Sequence, residues 1–73
     1  MENVYNIYAD FIDKQIVIKQ YDDTTLTGTL ISVDGYLNIF LINGKYNDEN
    51  FTFNFKSMFV RGSVVDYIYI ADK

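Results

Sequence analysis

The chain contains no cysteine, histidine, proline or tryptophan. Without cysteine there is no disulfide, and without cysteine and histidine there is no ordinary zinc or haem site. The same absences leave no Cys or His nucleophile or base for covalent catalysis. Without proline, nothing interrupts the hydrogen-bond ladder of a strand. Cations are few: Lys and Arg total 6 against 10 Asp and Glu, for a net charge of −4. That argues against a protein that coats nucleic acid electrostatically, which needs many cations on one face. It leaves room for a reader of a few bases, where stacking and hydrogen bonds carry the affinity. No apolar run approaches the roughly 18 residues of a membrane span. The N-terminus is acidic and mixed, not a basic leader before an apolar block. The expectation is a soluble, untargeted protein, cytosolic or nuclear, with no membrane, metal or cofactor partner.

What the chain has in quantity is aromatic: 7 Tyr and 6 Phe in 73 residues. With the β-branched residues these favour a sheet. A single domain of this length buries only about 60% of the surface its unfolded form exposes. Small domains add disulfides, a metal or oligomerisation; here oligomerisation is what remains.

Val4, Ile7, Tyr8 and Phe11 form the i, i+3, i+4, i+7 stripe of one helical face, which predicts a short helix within residues 1–12. It is too short to stand on propensity and must be held by packing, across the open end of a barrel. Residues 14–20 read as a first strand, with Ile16 and Ile18 inward. Tyr21 to Thr24 is a turn of Asx character. Residues 25–33 form a second strand, where Leu26 and Leu30 share a face and Gly28 marks a bulge or close backbone approach. The Leu30 to Val33 spacing breaks period two, so this strand bends. Residues 36–43 form a third strand, with Leu37, Ile39 and Leu41 on one face and Phe40 and Ile42 on the other. Asn43-Gly44 is a hairpin signal opening a polar connection over 43–50. Phe51, Phe53 and Phe55 alternate along a fourth strand that runs to Arg61, and residues 64–70 form a fifth. That last strand is apolar on nearly both faces, a poor free edge that pairing with another chain would cover. The architecture expected is all-β: a short helix, then five strands in a strongly bent SH3-like barrel, one domain over 1–73.

Two turns hold the candidate chemistry. One carries Asp34, Gly35, Tyr36 and Asn38; the other is Arg61-Gly62. Taken singly, Tyr36 is an ordinary cross-strand aromatic, Asn38 a turn residue and Arg61 a surface charge. The acidic pairs Asp22-Asp23 and Asp48-Glu49 fall in loops with no evident partner, and the first reads as a solvated turn.

Gly28-x-Leu30-x-x-Val33-Asp34-x-x-Leu37-Asn38, closing with Leu41, is similar to the first Sm motif, within the 14–43 region. Met58-Phe59-Val60-Arg61-Gly62-Ser63-Val64-Val65 resembles the second, within 51–70. Both in order, with a polar linker between them, resemble the Sm and Like-Sm family over nearly the whole chain. Within the mixed rings of that family, SVDGYLNI and FKSMFVRGSVVDYI point to one subunit type, with a departure at Asp66, where that subunit is usually basic.

The resemblance implies a subunit of a six- or seven-membered ring, in which the fourth strand of one subunit pairs with the fifth of the next. Phe59, Val64, Val65, Tyr67 and Ile68 would then lie at the interface. It implies uridine-rich RNA as ligand, bound in U6 snRNA splicing, mRNA decay or both, and hence a place in nucleus and cytoplasm. By motif position, Tyr36 would stack on a base and Asn38 would bond a uracil edge through its amide. Arg61 would cover the other face. Asp34 would hold Asn38 or Arg61 in place, and Gly62 would let the backbone turn close to the ligand. Each subunit would contact about one nucleotide, worth about 1–3 kcal/mol in stacking. A ring of such pockets binds tightly through effective concentration, without a basic surface.

Two other readings stay beside this one: a scaffold subunit whose own pocket is idle, and a core Sm protein that prefers an internal uridine tract. A peptide-binding module rests on the barrel alone. An enzyme is the weakest reading.

Overall fold

The computed structural model describes residues 8–71. Five antiparallel strands form one strongly bent sheet: β1 (Gln15–Gln20), β2 (Thr25–Val33), β3 (Ile39–Asn47), β4 (Thr52–Val60) and β5 (Val65–Ile70). Their spatial order is β4-β3-β2-β1-β5, so β4 and β5 are the two edges. The predicted N-terminal helix lies mostly outside the described residues. Within them the chain makes a 3-10 turn over Ala9–Phe11. Tyr8, Phe11 and Ile12 pack against the core, with the Tyr8 and Phe11 rings edge to face at 5.3 Å.

The core follows from period-two patterning. Ile16 and Ile18 from β1, Leu26, Leu30 and Val33 from β2, Ile39 and Leu41 from β3, Val60 from β4 and Val65 from β5 are all buried. Leu30 and Val33 both point inward because β2 carries an extra residue. Leu30 pairs with Leu41 and Ser32 with Phe40, which leaves Ile31 as the bulge.

The third strand departs from its expected bounds. Residues 36–38 belong to the preceding loop, and β3 continues through Asn43-Gly44 to Asn47. Asn43-Gly44 is not a hairpin turn but a second bulge: Thr27 pairs with Lys45 and Thr29 with Ile42, two steps on β2 against three on β3. Asn43 sits at φ 52, in the left-handed region that the hairpin signal and this bulge both demand. Gly44 is needed for space. A Cβ there would overlap the Thr27 carbonyl oxygen and lie 2.5 Å from the Phe55 ring. β4 turns with β3, since Ile42 faces Ser57 and Gly44 faces Phe55 with one residue between on each strand.

The true β3–β4 turn lies at residues 48–51, and Asp48 organises it. Its Oδ1 accepts the N–H groups of Asn50 and Phe51, both at 2.7 Å, and its Oδ2 accepts the Tyr46 hydroxyl at 2.8 Å. Those bonds, led by the Tyr46 hydroxyl, hold the Asp48 carboxyl below its ordinary range; the same bond pushes the Tyr46 phenol up. The Tyr46 ring stacks on Phe53 at 4.8 Å. Asp48, expected to lie in a loop without a partner, thus has three. Asp22 does serve a turn, its Oδ1 accepting the Thr24 N–H at 3.1 Å.

The fifth strand begins at Val65, one residue later than expected, after a 3-10 turn over Gly62–Val64. Val65, expected at the interface, is buried in this chain's own core, where its side chain is spent. Ile68 is half-buried and packs against the same core. Phe59, Val64 and Tyr67 are exposed on or beside the two edge strands, and Tyr67 stacks on Tyr69 at 6.1 Å.

Candidate nucleic-acid interface

Val33 and Ile39 face each other across the end of the β2–β3 ladder, both buried, and the five residues between them make the first loop. The Asp34 N–H donates to the Asn38 carbonyl at 3.1 Å, and the Leu37 N–H donates to the Asp34 carbonyl at 3.0 Å. Leu37 takes φ 65, which turns the chain while its half-buried side chain packs on the core. The Asp34 carboxylate ties the loop from inside. Its Oδ1 accepts the N–H of Tyr36 at 2.8 Å and of Asn38 at 3.0 Å; its Oδ2 accepts the Asn38 amide at 3.1 Å. These bonds, the Asn38 N–H first, hold the Asp34 carboxyl below its ordinary range. With its backbone so fastened, Tyr36 stands 85% exposed at the tip. Gly35 has open space around it, so this glycine serves no packing need.

The second loop follows β4. Because Ile39 at the start of β3 pairs with Val60 at the end of β4, the chain before β3 and the chain after β4 leave the sheet side by side. Arg61 is exposed and extended, and Gly62 begins the 3-10 turn. The Gly62 N–H donates to Asn38 Oδ1 at 2.8 Å. A Cβ on Gly62 would overlap the Tyr36 carbonyl oxygen and come within 2.9 Å of the Leu37 carbonyl carbon. Gly62 has no positive φ, so it is required here for close approach.

The structure therefore brings Asp34, Tyr36, Asn38 and Gly62 into one seam, with Arg61 beside it. Asn38 differs from expectation in one respect. Of its two N–H groups and two oxygen lone pairs, one donor is spent on Asp34 and one acceptor on Gly62. One of each is left for anything outside the chain. The expected support of Asn38 by Asp34 is present as a direct bond. The Gly62 N–H as the partner of Asn38 was not foreseen; the glycine after Arg61 in the second motif was the available signal.

An LSM-domain family model matches residues 6–70. The chain is 36% identical over 69 residues to the probable U6 snRNA-associated Sm-like protein LSm2 of Dictyostelium discoideum, covering 90% of this chain and 59% of that protein. It spans, then, less than two thirds of that relative's length. To the LSM complex subunit LSM2 of Saccharomyces cerevisiae it is 32% identical over 69 residues, covering 90% of this chain and 73% of the relative. The SmAP1 heptamer of P. aerophilum matches with a TM-score of 0.86 at 25% identity, over 100% of this chain and 99% of that one. Strand order, both motifs and these likenesses agree: the chain belongs to the LSM-domain family, and its similarity is to relatives that bear the LSm2 name.

Proposed function

We propose that this chain is an RNA-binding subunit of a Like-Sm ring that holds uridine-rich RNA at the seam between residues 34–38 and 61–62. The bond from Gly62 to Asn38, joining loops 24 residues apart, is the observation that carries this reading. It pairs an exposed aromatic platform with an adjacent cation and a half-free carboxamide. Tyr36 stacks on the base, Arg61 covers it, and the remaining N–H and lone pair of Asn38 meet the uracil edge. The Dictyostelium relative is U6 snRNA-associated and the yeast one is an LSM complex subunit. This reading includes a role in splicing, which the U6 name of the Dictyostelium relative supports, in mRNA decay or in both, with residence in nucleus and cytoplasm. The chain performs no catalysis in this reading. In this reading the exposed edges β4 and β5 take neighbouring subunits; the SmAP1 protein of P. aerophilum is itself a heptamer.

The test is the affinity of the assembled ring for fluorescent oligouridine. The double change Tyr36→Ala and Arg61→Ala should weaken binding by at least the stacking contribution of one base, about 1–3 kcal/mol. Unchanged affinity would assign the RNA to the neighbours and leave this subunit a scaffold. Half of the Asn38 amide being spent within the chain is what keeps that second reading in play. Competition between a free 3′ uridine end and an internal uridine tract separates a Like-Sm from a core Sm role.

A further inference from the structure

Asn43 is the one residue of β3 that has a partner on neither neighbouring strand. Pairing with β2 passes from Ile42 opposite Thr29 to Lys45 opposite Thr27, and pairing with β4 passes from Ile42 opposite Ser57 to Gly44 opposite Phe55. Asn43 is exposed, its backbone sits at φ 52, and it borders an open groove of about 520 Å³ on the sheet face. Its carboxamide takes part in none of the side-chain hydrogen bonds found among the described residues. The next residue is Gly44, and this is the chain's single Asn-Gly pair. A glycine has no Cβ to shield its own amide nitrogen from the side chain before it.

The other asparagines and the matching acid are placed differently. Asp34 also precedes a glycine, but its carboxylate accepts the N–H groups of Tyr36 and Asn38 and the Asn38 amide. Those bonds keep it ionised, and a carboxylate has no neutral group to expel. Asn38 is tied to Asp34 and Gly62 and precedes the branched Ile39. Asn47 accepts the Thr52 hydroxyl at 2.6 Å. Asn50 and Asn54 each precede a phenylalanine, whose bulk covers the nitrogen that would have to react.

We propose that Asn43 is a site of spontaneous covalent modification, its carboxamide converted to aspartate and isoaspartate through a cyclic imide closed by the Gly44 nitrogen. The bond that forms joins the Gly44 nitrogen to Asn43 Cγ, and the bond that breaks is Cγ–Nδ2. The Gly44 amide proton departs with Nδ2 as ammonia. Water then opens the imide. Cleavage at Cγ restores the main chain with an aspartate side chain; cleavage at the main-chain carbonyl reroutes the chain through Cβ and Cγ. Nothing is oxidised or reduced. Either product places a new negative charge in a groove whose lining holds Lys45 as its one cation. The rerouted product is also a methylene longer, at the point where β3 already takes three steps against two on β2. The reaction uses no residue of the seam, so it stands independently of the function proposed above.

The experiment incubates the full assembled chain in mildly alkaline buffer. Peptide mass mapping and enzymatic methyl labelling of isoaspartate follow the change. The peptide spanning residues 41–46 should gain the mass of an amide-to-acid exchange, with ammonia released in equal amount and label at position 43. Conversion there should run several times faster than at Asn38, Asn47, Asn50 or Asn54. Asn43→Gly, which keeps the left-handed backbone accessible, should lose both the mass gain and the label. Amide hydrogen exchange over residues 44–47 should quicken in the converted chain. An Asn43 that stays an amide while a free peptide of residues 41–46 converts overturns the site. So does conversion only after the chain is unfolded in denaturant, conversion spread evenly over the asparagines, or label at Asp34 and not at position 43.

Discussion

The backbone N–H of Gly62 and the side-chain oxygen of Asn38 meet at 2.8 Å across 24 residues of sequence. The candidate site is therefore a tertiary seam that exists only when β3 and β4 are paired. Gly62→Ala should force the two loops apart, because its Cβ would occupy the place of the Tyr36 carbonyl oxygen. Overpacking of this kind costs about 1–3 kcal/mol. Thermal unfolding should show a lowered midpoint, and oligouridine affinity should fall with it.

Tyr36→Ala should separate binding from stability. The ring is 85% exposed, so the melting midpoint should hold, as surface substitutions stay within about 0.5 kcal/mol. Affinity for oligouridine should drop by about 1–3 kcal/mol, and Tyr36→Phe should recover most of it, since the platform is the ring.

Acid should loosen the first loop late. The Asp34 carboxyl is lowered by the N–H groups of Asn38 and Tyr36, so its contribution is complete above the unfolded carboxyl value of about 3.9. It is lost as pH falls through the lowered folded value. Hydrogen exchange of the Tyr36 and Asn38 amides should stay protected at pH near 5 and fail only below the ordinary carboxylate range. Asp34→Ala, which removes the acceptor, should abolish that protection at every pH. Alkali acts on the other hairpin. The raised Tyr46 phenol gives support that is full below the ordinary tyrosine value and lost as pH climbs through its own. Tyr46→Phe should remove phenolate absorbance that develops above the ordinary tyrosine range.

At the β3 bulge, side-chain volume and backbone conformation can be tested apart. Gly44→Ala should destabilise by about 1–3 kcal/mol through its overlap with Thr27. Asn43→Gly should be nearly neutral, and Asn43→Val should cost about 1–2 kcal/mol, because φ 52 disfavours a β-branched residue. Denaturant midpoints of the three variants give the order.

Assembly should depend on the exposed edges. Tyr67 is 52% exposed on β5 and Phe59 is 59% exposed on β4. Lysine on an edge strand discourages pairing with another chain. Tyr67→Lys should shift native mass toward the monomer with the circular dichroism of the sheet retained.

Much of this was legible because burial writes itself in period two. Ile16 and Ile18 face inward as their alternation required, and the broken spacing from Leu30 to Val33 proved to be the Ile31 bulge. Asn43-Gly44 misled for a physical reason. A hairpin turn and a bulge both ask for a left-handed residue before a small one, and only the partner strand distinguishes them. Asp48 makes a local Asx turn, bonding N–H groups two and three residues on and the Tyr46 hydroxyl two residues back, the same signal that was read at Asp22. An edge strand apolar on both faces does not say which side its own core will take; here Val65 faces the core.

Asn43 on β3 and the residue between Phe55 and Ser57 on β4 act like a crease pressed through two adjoining strips of paper. Removing one would leave the strips out of step, with every contact beyond the fold line mismatched. Removing both would keep each side chain on its side yet let the strips lie flat, and a flat sheet has nothing to wrap around. Across β3 and β4, curvature is stored in Asn43 and the residue opposite it, and a doubly shortened chain should pair its strands correctly and still fail to enclose its interior.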